Sequence, residues 1–161
     1  MGIYCACENR CSRKIVGWSI SKTLESKNAI VALYMALSQL PTGVTNLLHH
    51  SDRGVQYCSS KYVEILQRHG VGISMTENGD PLENAIAERI NGILKTEWIN
   101  EMKLKSIKEA KVQIGKIIII YNSERPHSSI EMLTPEQAHL ESRPLKRLWK
   151  NYYKKMEACQ V

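Results

Sequence analysis

The 161 residues carry a net charge of +6, with 43% hydrophobic and 24% charged residues and no Phe. That length supports one domain with a core of its own, and the balance is that of a globular chain rather than a disordered one. The longest purely apolar run, residues 117–120, is far below the ~18 residues of a membrane span, and no signal peptide is visible; the expectation is a soluble, cytoplasmic protein with no membrane partner.

Five cysteines without a CxxC pair exclude a disulfide scaffold in a chain without an export signal. Cys5, Cys7 and Cys11 with His49 or His50 could be drawn as a zinc site. Cys5 and Cys7, however, share one face of an apparent strand while Cys11 lies beyond it, so reduced, partly buried thiols are the reading.

In chain order, residues 3–7 and 14–20 read as two strands joined by the polar turn ENRCSR, a hairpin. Ser26 opens a helix in which Ile30, Leu33, Leu37 and Leu40 recur at helical spacing until Pro41 and Gly43 end it. The short apolar run VTNLL (44–48) reads as a strand. A second helix follows over 59–69, with Val63, Leu66 and Tyr62 on its apolar face and Gly70 closing it. VGISMT reads as another strand, followed by the turn ENGDP. Asp80 and Pro81 then signal a helix start, with Glu83 placed as in a capping box. Ile86, Ile90, Ile93 and Leu94 form the apolar stripe of that helix. Asn84, Glu88, Asn91 and Lys95 fall on a different, solvated face.

A further helix begins at Ser106, with Glu109 three residues on; the IIII run belongs to it by length and caps. NSERPHSSIEMLTPEQ is a loop, and Thr134, Pro135 and Gln137 cap a last short helix. Strands alternating with helices argue for an α/β layered domain. Trp18 and Trp98 read as packing residues.

The charge is uneven. Residues 1–88 balance, and the whole +6 resides in 89–161, the last 20 residues alone holding +5. Such a block attracts polyanions in a salt-dependent way. Trp149, Tyr152 and Tyr153 among the tail's lysines suit stacking on nucleic acid, or packing back onto the domain. Asp52 follows the apolar run in LLHHSDRGVQY, and Glu88 comes after 35 intervening residues. Two carboxylates on different elements can converge on a divalent cation, which metal-assisted attack on phosphodiesters requires. His49 and His50, at a strand end, read as packing or hydrogen-bonding residues.

Four words taken together are more specific. SRKIVGW (12–18), HHSDRGVQY (49–57), GISMTENGDPLENAIAERINGILKTE (72–97) and YNSERPH with LTPEQA (121–138) resemble, in order and spacing, the retroviral-integrase-like catalytic core of bacterial insertion-sequence DDE transposases. The resemblance implies a ribonuclease-H-like α/β/α fold with a mixed sheet over residues 1–140, followed by a basic tail over 141–161. It implies that Asp52 and Glu88 are catalytic metal ligands for Mg²⁺ or Mn²⁺. It implies that Lys95 contacts transposon-end DNA, and it gives Gln56 and Arg125 lesser DNA contacts, with Gly54 tightening the turn after Asp52. The chemistry implied is hydrolytic nicking at transposon ends followed by strand transfer into target DNA, by a homo-oligomer assembled on DNA, with no small-molecule substrate.

The same resemblance exposes a departure. The family's third carboxylate lies on a first, central strand that would fall upstream of Met1. Glu8 lies on the hairpin, Asn9 stands where relatives carry Asp, and Asp80 caps a helix. The expectation is therefore a truncated and catalytically inactive transposase core, with a non-catalytic DNA-binding or regulatory fragment as the alternative.

Overall fold

The structure, a computed structural model, describes residues 3–146 except 24 and 77–84. The Asp80–Pro81 helix start and the tail aromatics Trp149, Tyr152 and Tyr153 lie outside the described residues.

Strands β1 (Ile3–Glu8) and β2 (Ile15–Ser21) form the expected hairpin, antiparallel from Ile3↔Ser21 to Cys7↔Gly17, with a register shift between Cys7 and Glu8. Its turn is built by Asn9. The side-chain Oδ1 accepts from the backbone N–H of Cys11 (3.0 Å) and Ser12 (2.9 Å), and Arg13 takes the left-handed conformation at φ 64°. Helix α1 (Ser26–Leu37) lies so close to β2 that a Cβ on Gly17 would come within 2.0 Å of the Ala32 carbonyl oxygen. It ends three residues before Leu40, because Pro41 pushes the residue before it out of helical geometry; Leu40 keeps only a turn hydrogen bond to the Leu37 carbonyl, 3.2 Å.

The strand expected over 44–48 begins only at Leu48. Asn46 sits at φ 61° and interrupts extended backbone there, so β3 is Leu48–Ser51. It pairs in parallel with β4 (Gly72–Met75), from Leu48↔Gly72 to Ser51↔Met75. Helix α2 (Ser60–Arg68) buries Tyr62, Ile65 and Leu66; Ile65 takes the central place expected for Val63, which is half-buried.

Helix α3 is described from Ala85 to Glu97 and buries Ile90, Ile93 and Leu94. Helix α4 (Ile107–Ser123) begins where Ser106 Oγ accepts from the Glu109 N–H at 3.1 Å. The Glu109 carboxylate reaches back to the N–H of Lys105 rather than Ser106, 2.9 Å. The IIII run is helical: Ile117 and Ile118 are buried while Ile119 is 66% exposed, the periodicity of a helix and not of a strand. Helix α5 (Pro135–Leu140) carries the full reciprocal cap between Thr134 and Gln137, 3.3 and 2.9 Å.

Two apolar clusters sandwich the strands. Ile15 and Ile20 of β2 pack with α3 and α4, joined at the edge by Trp18 and Trp98; α1 and α2 pack around Tyr62, with Val71 and Ile73. On the α1 face of β2, Gly17 meets Ala32, and Ser19 Oγ donates to the Asn28 carbonyl at 2.7 Å. The result is the three-layer α/β/α arrangement of a ribonuclease-H-like fold. Among the described residues the strands occur in antiparallel and parallel pairs, as two separate two-stranded sheets, β1–β2 and β3–β4. Among the described residues no helix is long and apolar enough to cross a membrane. Cys11 and Cys58 are exposed rather than partly buried, since both fall in turns; Cys7 is half-buried.

Candidate metal and nucleic-acid site

Asp52 is exposed and stands immediately after β3, at the carboxyl end of a parallel strand pair, where α/β folds gather their ligands. That strand end is pinned: the Thr76 N–H donates to the Ser51 carbonyl at 3.1 Å, and Arg53 Nε donates to the Thr76 carbonyl at 2.8 Å. Asp52 Oδ1 accepts from the Gly54 N–H at 2.9 Å. A Cβ on Gly54 would lie 2.9 Å from that oxygen and 2.5 Å from Gln56 Nε2. Only glycine lets the turn close Gln56 down beside Asp52 without displacing either side chain. The structure thus brings Asp52, Gly54 and Gln56 together. Ser51 Oγ, one residue back, is buried and has no hydrogen-bond partner among the described residues.

Glu88 and Lys95 are both exposed, in the first and last described turns of α3, two turns apart on one side. Asn91, between them, departs from the solvated face expected of it. It is half-buried, and its Oδ1 is enclosed without a hydrogen-bond partner among the described residues; Asn84 lies outside them. No hydrogen bond or ion pair joins Asp52 to Glu88 among the described residues, and among them no three His, Cys, Asp or Glu side chains gather as a metal site.

Arg125 is held by Glu97 in a two-pronged ion pair: Nε donates to Oε2 at 2.8 Å and a terminal nitrogen donates to Oε1. That bond raises the Arg125 pKa and lowers that of Glu97. A second guanidinium nitrogen lies 3.3 Å from His127 Nε2. The buried His127 ring stacks edge-on against Tyr121 at 5.0 Å. Burial, then Arg125, pushes its pKa down to about 4. Nearby, burial raises Glu8 to about 7 against the pull of Arg13. Burial and then Glu8 raise the pKa of the Tyr121 hydroxyl, which is enclosed without a hydrogen-bond partner among the described residues. Sequence reading missed this cluster, since Glu8 looks like a polar strand end and Glu97 like an exposed helix residue. The motif YNSERPH was the one available signal, and it pointed to DNA rather than to packing.

His49 and His50 behave as strand-end packing residues. His49 Nε2 lies 3.3 Å from the Tyr62 hydroxyl, and burial, then His50, lowers its pKa. His50 Nδ1 lies 2.9 Å from Ser74 Oγ.

Comparison with known proteins follows this geometry. Two models described as "Integrase core domain" match residues 5–81 and 69–135. The chain is 36% identical over 126 residues to the transposase for insertion sequence element IS904 of Lactococcus lactis, covering 78% of this chain and 49% of that protein. It is 34% identical over 125 residues to the IS629 transposase of Shigella sonnei, covering 77% of this chain and 41% of that one. The chain thus spans about half the length of the curated relatives it matches. Among solved structures, the catalytic core domain of BIV integrase superposes with a TM-score of 0.64 at 17% identity, covering 88% of this chain and 87% of that one. The HTLV-2 integrase catalytic core, solved with magnesium in a trimeric form, gives 0.59 at 19% identity, covering 86% and 93%. These likenesses establish the retroviral-integrase fold, and with the insertion-sequence relatives they settle the lineage: this chain belongs to the integrase core domain family of insertion-sequence transposases.

Proposed function

We propose that this chain carries the catalytic core of a DNA transposase, in which Asp52 and Glu88 are carboxylates that hold Mg²⁺ or Mn²⁺. The observation that carries the reading is the placement of Asp52, exposed at the end of a parallel strand with one oxygen fixed by the Gly54 N–H. The donor chemistry fits: exposed carboxylates are the hard oxygen ligands these cations take. The donor number falls short, because no third ligand joins them among the described residues. When bound, the cation pair supplies activation of a hydroxyl and stabilisation of the departing oxygen.

The chain's own residues do the positioning. Gly54 orients the Asp52 carboxylate, Gln56 lies beside it to meet the DNA backbone, and Lys95 offers a positive charge on the Glu88 side of α3. Arg125 has the smallest share, because Glu97 already neutralises it. The basic tail over 141–161 adds non-specific attraction for transposon-end and target DNA. Assembly as a homo-oligomer on DNA and a cytoplasmic location belong to the same reading.

With Asp52 and Glu88 as the carboxylates this reading assigns, the chain by itself is expected to bind DNA without cutting it, as a regulatory fragment. The test is supercoiled plasmid with Mn²⁺, beside a fluorescein-labelled duplex. Binding that weakens as salt rises, survives Glu88→Gln and gives no nicking supports the proposal; metal-dependent nicking by this chain alone overturns the inactive state. Mn²⁺-induced relaxation of the amides around Asp52, lost in Asp52→Asn, tests the metal assignment without reference to activity.

A further inference from the structure

The segment that leads into α4 carries positive charge that no contact within the described residues uses. Residues 103–116 hold five lysines against Glu109 alone, and the Glu109 carboxylate already accepts from the Lys105 backbone N–H at 2.9 Å. Before the helix the side chains alternate. Met102 and Leu104 pack against the apolar cluster of α3 and α4, and Lys103 and Lys105 are exposed on the other side. Lys108 and Lys111 follow, exposed on the first two turns of α4 and neighbours at a spacing of three. Lys108 sits where the helix dipole disfavours a cation. Among the described residues none of these four lysines has an ion pair. Like charges gathered against a dipole, with no counter-charge, break a local rule of the kind folds break at functional surfaces.

The cluster lies at the end of the molecule that holds the two carboxylates. Helices α3 and α4 pack together in one apolar cluster, and Glu97, at the end of α3, pairs with Arg125 just beyond α4. Their ends meet, so their starts meet too, bringing Glu88 and Lys108 to one end. Asn122 bonds to Ile15 and Gly115 lies against the Trp18 ring, so α4 runs against β2 and begins near the far end of that strand. Val16 and Leu48, at the starts of β2 and β3, border one cavity, which leaves Asp52, past the end of β3, toward the same end as Lys108. We propose that Lys103, Lys105, Lys108 and Lys111 form a track for the phosphate backbone of duplex DNA, a surface distinct from Gln56, Lys95 and Arg125 that carries the duplex onward from Glu88. For its partner the inference rests on the transposase reading. Charge complementarity selects the duplex, which bears one negative charge per about 1.7 Å of its axis. Flexible lysine stems meet such an array without a fixed register, and contacts to phosphates position DNA without reading its sequence.

The experiment titrates the full chain with two fluorescein-labelled duplexes of equal length and unrelated sequence over a range of salt, after circular dichroism has shown each variant folded. Each single Lys→Gln change among the four is expected to lower the slope of log affinity against log salt by about 1. The fourfold Lys→Gln variant should lose about a hundredfold or more in affinity at low salt, equally for both duplexes. The fourfold Lys→Arg variant keeps the charge and should keep the binding. Arg68→Gln, at the exposed end of α2, should leave the slope unchanged. The surface is overturned if the fourfold Lys→Gln variant binds with an unaltered slope, or if its loss is confined to one duplex. It is overturned too if that variant loses binding of an oligoglutamate peptide while keeping the duplex, since the partner would then be an acidic protein. An unaltered slope with the Mn²⁺ relaxation at Asp52 retained removes this surface alone; a chain that binds neither duplex removes the transposase reading with it.

Discussion

The late loop after α4 and the turn after β3 are written in the same polar residues, yet they are held very differently. In the last turn of α4, where the late loop is rooted, Asn122 is buried and pairs both ways with Ile15, its Oδ1 accepting from the backbone N–H and its Nδ2 donating to the carbonyl, each at 3.0 Å. Arg125 is locked to Glu97, the His127 N–H donates to the Leu133 carbonyl at 3.0 Å, and Thr134 closes the segment with a reciprocal cap. At the Asp52 turn, one bond from Gly54 fixes an exposed carboxylate. The lesson is a division of labour. The Asn122, Arg125 and Thr134 side chains are paired across the segment and hold the scaffold. The carboxylates keep lone pairs open to solvent, as groups meant for a ligand must.

That contrast can be broken at graded positions. Gly17→Ala is expected to do the most damage, about 3 kcal/mol, because its methyl meets the Ala32 carbonyl, which is backbone and cannot step aside; urea denaturation reads it. Asn122→Leu comes next, about 2–3 kcal/mol, since the Ile15 N–H and carbonyl lose their partner in a buried site. Faster exchange of the Ile15 amide should accompany the loss. Arg125→Ala should cost only about 1 kcal/mol, the pair being partly exposed, and the Glu97→Arg, Arg125→Glu exchange should recover part of it in a double-mutant cycle.

Two pH slopes of opposite sign probe the same packed side. Glu8, raised from 4.5 to about 7, binds more protons folded than unfolded across that interval, so stability falls as pH rises through it. His127, lowered from 6.5 to about 4, makes stability fall as pH drops through its interval. Glu8→Gln is expected to remove the first slope and leave the second; an unchanged first slope in that variant would show that Glu8 is not as enclosed as it stands here. Gly54→Ala should change stability least, within about 0.5 kcal/mol for an exposed turn. It should nevertheless displace the Gln56 amide and Asp52 resonances, and an unmoved spectrum would remove the reason for glycine at that turn.

Much of the fold was readable beforehand where local chemistry decides it. The hairpin turn, the Ser106 and Thr134 caps, the helical IIII run and the α3 stripe all follow from interactions within a few residues. The strand expected over 44–48 was misplaced because the left-handed Asn46 and the pairing with β4, not apolarity, decide where extended backbone begins. The helix expected to reach Leu40 stopped early for a local reason, Pro41, that was visible but underweighted. Asp52, Glu88, Gln56 and Lys95 were singled out through motif spacing, and the structure places Asp52, Gly54 and Gln56 together in one turn. The Arg125–Glu97 pair and the Glu8–Arg13–Tyr121 cluster were not, because their members are separated by up to more than a hundred residues and each looks ordinary alone.

The sequence by itself determined the family and the basic second half, since motif order and charge are properties of the chain as written. Only the tertiary structure decided that Arg125 is neutralised by Glu97 and that Asn91 turns inward from the Glu88–Lys95 face. It alone showed the sheet divided between β1 and β3. Pairing, enclosure and edge exposure depend on which distant residues share a neighbourhood, and no local pattern carries that information.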